Sequence, residues 1–234
     1  MRLLITGDEL VAPGDVRRDG QIFESNSLML AALVQRDGGL LETAPPVEFV
    51  ADQRSAISDM LSRTEVDIIL VSGGSSVGSE DHAPTLVAEL GELTFHGVAM
   101  RPSSPSGIGR VGSALVFLLP GNPVSCLCAY DVFAGLAIRK QGGRGVDWPY
   151  RPIDGVLSER ISSDIGRLDY CRVAIDDNSP PNISPLAISG ASILSSTTRA
   201  DGFVMVPAEL EGYASGSRIQ AWRYDPCDRG SGDP

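Results

Sequence analysis

The sequence predicts an α/β protein: a three-layer αβα domain with a mainly parallel sheet, followed by a small all-β domain, a barrel. Three observations lead there. Through about residue 140, apolar β-branched runs alternate with segments of helical period, as in right-handed βαβ units around a parallel sheet. Gly142-Gly143-Arg144-Gly145 then breaks the alternation and reads as a linker or hinge. From Arg151 to Tyr224 no helical period persists. The domains are expected at residues 1–142 and 149–225, with a loose tail over 226–234.

The elements follow in order. Leu3-Leu4-Ile5-Thr6 is a short strand cut by Gly7, with Asp8 and Glu9 after it. Ser25 or Asn26 is a suitable N-cap for a helix whose buried face carries Leu30, Leu33 and Val34 and which Gly38-Gly39 end. Val47 to Val50 is the second strand, followed by Asp52 and a helix facing inward through Ile57, Met60 and Leu61. Ile68-Ile69-Leu70-Val71, with three β-branched residues in four, is a buried third strand. A glycine- and serine-rich turn follows, and then Ala83, Leu86, Val87 and Leu90 fall at i, i+3, i+4 and i+7 of a helix. Leu93 to Met100 is extended, and Ala114 to Leu119 is the last strand of this half. Asn122 as N-cap and Pro123 at the first helical position start a helix that runs to about Lys140. In the second half, Val156 to Ile161, Asp169 to Ile175, Gly202 to Pro207 and Arg218 to Trp222 are strand candidates. Pro180-Pro181, Asp201-Gly202 and Gly212 supply the turns between them.

The bulk composition excludes several classes. A hydrophobic fraction of 42% is ordinary for a globular protein, and no apolar run approaches a membrane span. The segment before Gly7-Asp8-Glu9 is too short for a signal peptide, so a cytoplasmic location is the default expectation. A net charge of −11 argues against a nucleic-acid surface. Cys126, Cys128, Cys171 and Cys227 form no C-x-x-C pair and read as core or incidental thiols. His82 reads as a surface residue, Trp148 and Trp222 as packing, and no serine has a His/Asp partner set for hydrolase chemistry.

The chemistry concentrates after the third strand. In the loop of Ser72, Gly73, Gly74, Ser75, Ser76 and Gly78 the three glycines let the backbone approach a ligand, and exposed N–H groups in such a loop bind anions. The same spacing would also serve a tight strand-to-helix connection without ligand. It matches neither the phosphate-loop nor the dinucleotide fingerprint. Glu9 (or Asp8), Asp52 and Asp81 all follow strands, so a parallel sheet could bring them to one crevice. Oxygen ligands of this kind suit Mg²⁺; the plain alternative is that each caps a helix.

Several segments together resemble the MoeA/gephyrin family of molybdopterin molybdenumtransferases. They are Thr6-Gly7-Asp8-Glu9-Leu10, Gly20-Gln21-Ile22 with Ser25-Asn26, Ser72 to Gly78 with Asp81, and Leu119-Pro120-Gly121-Asn122-Pro123-Val124-Ser125. Gly166-Arg167-Leu168-Asp169-Tyr170 and Ser189 to Ser196 resemble the family's C-terminal β-barrel. The resemblance implies insertion of molybdate into adenylated molybdopterin (molybdopterin-AMP) in a Mg²⁺-dependent step that releases AMP. By position, Glu9, Asp52 and Asp81 match its acidic residues for metal and molybdate, and Ser72, Gly73, Gly74, Ser75 and Ser76 its pterin-phosphate loop. Gly121, Asn122, Pro123 and Ser125 match a second ligand loop at a helix start.

The sequence departs from the family pattern in two places. A Lys-Pro-Gly-Lys-Pro type stretch reads Arg101-Pro102-Ser103-Ser104-Pro105, so that Arg101 keeps one positive charge and Ser104 removes the other. Ala191 stands where some relatives carry a serine. The chain also begins at the first strand of this domain, without the family's two N-terminal domains, which contribute to the site across a dimer. A homodimer, or a separate chain that supplies those domains, is therefore expected, and reduced activity without them. A non-catalytic pterin carrier and a scaffold are the competing expectations.

Overall fold

The computed structural model describes residues 1–42, 47–50, 53–73, 82–187 and 195–226. The chain divides into two compact units, one of residues 1–98 and 103–146, the other of residues 99–102 and 147–234.

The elements of the first unit are β1 (Arg2–Thr6), β2 (Leu10–Val11), β3 (Ile22–Phe23), α1 (Asn26–Asp37), β4 (Val47–Val50), α2 (Arg54–Leu61), β5 (Ile68–Ser72), α3 (His82–Leu90) and β6 (Glu92–His96). After β7 (Met100–Arg101), which belongs to the second unit, come β8 (Gly107–Val111), β9 (Ala114–Leu119) and α4 (Pro123–Ala129). A π-turn (Tyr130–Ala134) leads from α4 into α5 (Gly135–Gln141). The sheet order is β4-β1-β5-β9-β8-β6. The first four strands are parallel; β8 runs antiparallel to both β9 and β6.

Alternation along the strands builds the three layers. Leu4, Ile69, Val71, Val116 and Leu118 point to one face, where Ile57 and Leu61 of α2 and Ala83, Leu86 and Val87 of α3 cover them. Leu3, Ile5, Ile68, Leu70, Phe117 and Leu119 point to the other, against Leu30 and Val34 of α1 and Cys126, Ala129, Tyr130 and Ile138. A strand buried on both faces reads as a continuous apolar run, which is why β5 and β9 stand out in the sequence. The helix α1 ends as the glycines predict. Gly38, at φ 86°, closes it in the left-handed conformation, with its N–H on Gln35 and that of Gly39 on Val34.

Of the strands absent from the sequence reading, β8 and one in the second unit have definite reasons. β8 holds Gly107 and Gly109, poor strand formers, but a Cβ on Gly109 would lie 2.4 Å from Val87 Cγ1. The glycine is the room that α3 needs to pack there. The last helix of the unit is also not one regular helix, since the π-turn widens it at Tyr130–Ala134.

The second unit contains β10 (Tyr150–Leu157), β11 (Ile161–Ser162), β12 (Leu168–Ile175), β13 (Asn182–Ala187), the short α6 (Ser195–Thr198), β14 (Gly202–Val206), β15 (Gly212–Tyr213) and β16 (Arg218–Pro226). The order β13-β10-β16-β14-β12 closes on itself through a β12–β13 pairing, which makes a five-stranded barrel. Its core is Leu157, Cys171, Val173, Ile183, Val204 and Val206 with their neighbours. β13 escaped the sequence reading because Pro185 sits within it. Pro185 faces Val173, beside a register shift where a ladder donor is dispensable. β7 adds to β12 in parallel, pairing Met100 with Leu168 and Arg101 with Asp169. Trp148, Tyr150, Phe203 and Trp222 pack ring against ring on this unit, with Phe203 stacked on Trp222. Cys126, Cys128 and Cys171 are buried, as core thiols should be. No helix among the described residues is long and apolar enough to cross a membrane.

Candidate functional site

The sheet of the first unit changes direction at β1, which has β4 on one side and β5 on the other. Crevices for ligands in open α/β sheets open at the carboxyl ends of strands at such a switch point. Here β1, β5 and β9 end in register, Ile5 beside Ser72 and Ser72 beside Leu119. Gly73 turns the chain at φ 95° and donates its N–H to Leu119 O at 3.3 Å. A Cβ on Gly73 would sit 2.2 Å from Thr6 O and 2.8 Å from Thr6 Oγ1. Only glycine allows this approach. Gly121 lies alongside, its Cβ position in ordinary contact with Gly73 Cα at 3.5 Å.

The start of α1 ties this edge together. Asn26 donates from Nδ2 to Ser72 Oγ (2.9 Å) and to Gly121 O (2.7 Å). Ser25, the expected N-cap, makes no side-chain cap bond. The cap comes instead from Glu24, one residue earlier. Its carboxylate accepts the Ser27 N–H (2.7 Å) and the Ser27 hydroxyl (2.5 Å), where the helix dipole favours negative charge. Cys126 lies against Ser72, Sγ to Oγ 3.8 Å. Burial pushes its thiol up to about 12, and the Glu24 charge pushes the same way, so it stays protonated and is no nucleophile. Thr6 Oγ1 and Asn26 Oδ1 are buried and have no hydrogen-bond partner among the described residues. Buried polar atoms are nearly always satisfied, by protein, water or ligand, so two orphans at one strand edge mark it out.

The sequence-predicted residues distribute as follows. Ser72 and Gly73 are buried at the β5 end. Gly121 and Asn122 are exposed, Pro123 half-buried and Ser125 buried at the start of α4, and Ser125 O accepts the Ser103 hydroxyl at 2.6 Å. Glu9 is exposed after β1. Asp52, Gly74, Ser75, Ser76, Gly78 and Asp81 lie outside the described residues, as do Ala191, Ser192, Cys227 and the tail beyond it. Among the described residues no group of three His, Cys, Asp or Glu side chains could hold a metal ion. Arg101 falls in the second unit, where its guanidinium is ion-paired with the fully buried carboxylate of Asp169. Asp169 also accepts from Ser163 Oγ (2.8 Å) and Arg167 Nε (3.0 Å).

Sequence reasoning left Glu24 without a role, placed Thr6 only at a strand end and gave Asn26 only a helix cap. A carboxylate directly before the helix start could have revealed Glu24 as the cap. Nothing local reveals Asn26, whose partners are 46 and 95 residues away.

Fold and edge together define an α/β protein that presents a glycine-lined cradle at a switch point. Residues 2–140 match the family model described as "Probable molybdopterin binding domain", and the chain belongs to that family. Residues 154–224 match the model for the MoeA C-terminal region (domain IV). A protein named molybdopterin molybdenumtransferase 2, from Mycobacterium tuberculosis, is 35% identical over 234 residues, covering 94% of this chain and 55% of its own length. The molybdopterin molybdenumtransferase of Haemophilus influenzae is 26% identical over 227 residues, 93% of this chain and 54% of that protein. The solved molybdopterin biosynthesis MoeA protein of Pyrococcus horikoshii superposes with a TM-score of 0.77 at 25% identity, over 95% of this chain and 53% of that one. The chain thus spans about half the length of these relatives.

Proposed function

We propose that the chain acts in molybdenum cofactor biosynthesis, binding molybdopterin-AMP at the carboxyl edge of its first unit and inserting molybdate with release of AMP. The observation that carries this reading is the convergence of Thr6, Ser72, Gly73 and Gly121 under Asn26, in a domain of the molybdopterin-binding family. The pterin phosphate would lie in the loop of Ser72, Gly73, Gly74, Ser75, Ser76 and Gly78. A second anionic group suits the start of α4. The first in-helix bond there runs from Cys126 N to Asn122 O, and Pro123 has no N–H, so the Val124 and Ser125 N–H groups, without a backbone acceptor among the described residues, would be open to a ligand.

In a chain of net charge −11, such donors and a cation have to offset the charge of phosphate and oxyanion. Glu9, Asp52 and Asp81 would hold Mg²⁺ through oxygen alone, the donor set this ion prefers. Bound there, the ion would supply charge neutralisation at the phosphate. Of the three, Glu9 is the one among the described residues, and its exposed carboxylate is accessible to such an ion.

A second reading, a pterin carrier without turnover, is favoured by the lack of free positive charge in the 101–105 stretch. Arg101 is ion-paired with Asp169, and the second charge is replaced by Ser104. Calorimetry with molybdopterin-AMP, followed by an assay of AMP release with molybdate and Mg²⁺, separates the readings. Release is the expected result. Binding without release would leave the carrier, and no binding would leave a scaffold.

A further inference from the structure

We infer that Asn26 is a positioning residue that locks the ends of β5 and β9 together and leaves the buried Ser72 hydroxyl its hydrogen to donate to a phosphate oxygen. This rests on the molybdopterin-AMP reading above for the identity of the ligand, but not for the lock itself.

Asn26 is in the first turn of α1, yet its side chain does not cap the helix; Glu24 does. The amide is 6% exposed and reaches sideways instead. Both Nδ2 hydrogens are committed, one to Ser72 Oγ at the end of β5 and one to Gly121 O beyond β9. Because Gly121 O can only accept, the orientation of the amide is fixed. Asn26 Oδ1 must then point away from both, and it has no partner among the described residues. A residue selected for stability alone would not leave a buried acceptor unsatisfied, since that offsets what its donor bonds contribute.

The consequence falls on Ser72. A hydroxyl that accepts from Asn26 keeps its own hydrogen to donate. Among the described residues the neighbouring acceptor in reach is the Cys126 sulfur, 3.8 Å away and weak, so an incoming phosphate oxygen competes easily for that hydrogen. Donation from Asn26 also polarises the hydroxyl and strengthens what it gives. Gly121 O is held by the same amide, which keeps the Gly73 turn and the Leu119–Gly121 turn at the spacing that the Gly73 N–H to Leu119 O bond requires.

Two measurements test this. In the unliganded chain, Asn26→Ala should raise the exchange rate of the Gly73 amide about tenfold while the Leu4 and Val116 amides keep theirs. An unchanged Gly73 rate overturns the lock. A uniform rise at all three amides, in both Asn26→Ala and the isosteric Asn26→Asp, would make the residue merely structural and also overturns it. The second measurement is a double-mutant cycle by calorimetry with molybdopterin-AMP. Asn26→Asp replaces the donor by an acceptor, which draws the Ser72 hydrogen inward. It should weaken binding about tenfold in the wild-type background but less than about threefold in Ser72→Ala. Equal losses in both backgrounds would show plain charge repulsion and overturn the Ser72 role. If the wild-type chain does not bind molybdopterin-AMP, the functional reading fails, and the exchange experiment alone decides the lock.

Discussion

The helix α1 joins two edges of one sheet that handle buried polarity in opposite ways. At its first turn, on the carboxyl edge, Asn26 Oδ1 and Thr6 Oγ1 are buried without partners, and three strand ends are squeezed together through glycines. At its last residue, on the amino edge, Asp37 is also buried but heavily bonded. It accepts from Arg36 Nη2 (2.8 Å), Tyr130 Oη (2.9 Å) and Arg139 Nη1 (3.0 Å). Arg36 reaches on to Asp131 at 3.2 Å. On the same edge Arg2 forks onto Glu42 at 2.7 and 2.9 Å and donates to the carbonyls of Arg63 and Met60. Arg139 Nε is buried without a partner among the described residues, but the amino edge otherwise closes its polar groups on one another and serves stability. The carboxyl edge holds some in reserve, which is what a ligand site needs.

That contrast breaks most visibly at Asp37. Removing it in Asp37→Ala strands Arg139, which is buried, and deprives Tyr130 of its acceptor. Tyr130 stays protonated because burial and the Asp37 charge both push its hydroxyl well above the ordinary range, so it needs that acceptor. The expected loss is about 3–5 kcal/mol of folding stability, as for other buried ion pairs broken on one side. Denaturant titration measures it. Affinity of the folded fraction for molybdopterin-AMP should stay within about threefold, since the change is at the far edge. A large loss of affinity with little loss of stability would reverse the assignment of the two edges.

Gly73→Ala makes the opposite test. Its Cβ would meet Thr6 O at 2.2 Å, at a φ of 95° that disfavours any side chain. A stability cost of about 2–3 kcal/mol is expected. Misplacing the loop by even an ångström should weaken molybdopterin-AMP binding on the order of 10²-fold. Binding that survives intact would take the β5 end out of the site.

The Arg2–Glu42 fork gives the amino edge a pH signature. The Arg2 guanidinium holds the Glu42 carboxyl below its ordinary range, against a smaller opposing effect of burial. A depressed folded-state pKa means stability present above the unfolded value and lost as pH falls through the folded one. The stability difference between wild type and Glu42→Gln should therefore be constant near neutrality and shrink as pH falls below about 4.3, the ordinary glutamate value. A difference that does not change over that range would show that the fork contributes packing rather than charge.

What the sequence made legible follows from how far each feature reaches along the chain. β5, β9 and the helices α1 to α3 were readable because their patterns are local: continuous apolar runs and residues at helical spacing. Gly73 was readable because a glycine- and serine-rich run between a buried strand and a helical period marks a turn. The Asn26 bonds, the Asp37 cluster and the pairing of β7 with β12 were not, since each joins residues tens of positions apart that carry no mark of their partner. Arg101 illustrates the cost. By sequence it reads as a site cation, whereas its charge is paired with Asp169, 68 residues on. Glu24 was hidden for a different reason: Ser25 and Asn26 are better cap residues by type, and the helix used neither.

The smallest effect concerns Ser103, where the carboxyl edge departs from a local rule. Ser103 has φ 98°, a conformation glycine adopts readily and serine does not. Its hydroxyl donates to Ser125 O at 2.6 Å, in the first turn of α4. Strain and hydrogen bond oppose each other, and two substitutions separate them. Ser103→Ala keeps the strain and removes the bond, for an expected loss of about 1 kcal/mol. Ser103→Gly removes both, and it also loosens the unfolded chain at a cost of about 0.4–1 kcal/mol. Relief of a left-handed backbone is worth about 1–2 kcal/mol, so Ser103→Gly should end within ~0.5 kcal/mol of wild type and clearly above Ser103→Ala. Thermal or denaturant melts of the three chains read the order directly. Should Ser103→Gly fall below Ser103→Ala by the full unfolded-state cost of about 0.4–1 kcal/mol, the backbone at Ser103 stores no strain, and its hydroxyl alone accounts for the serine there.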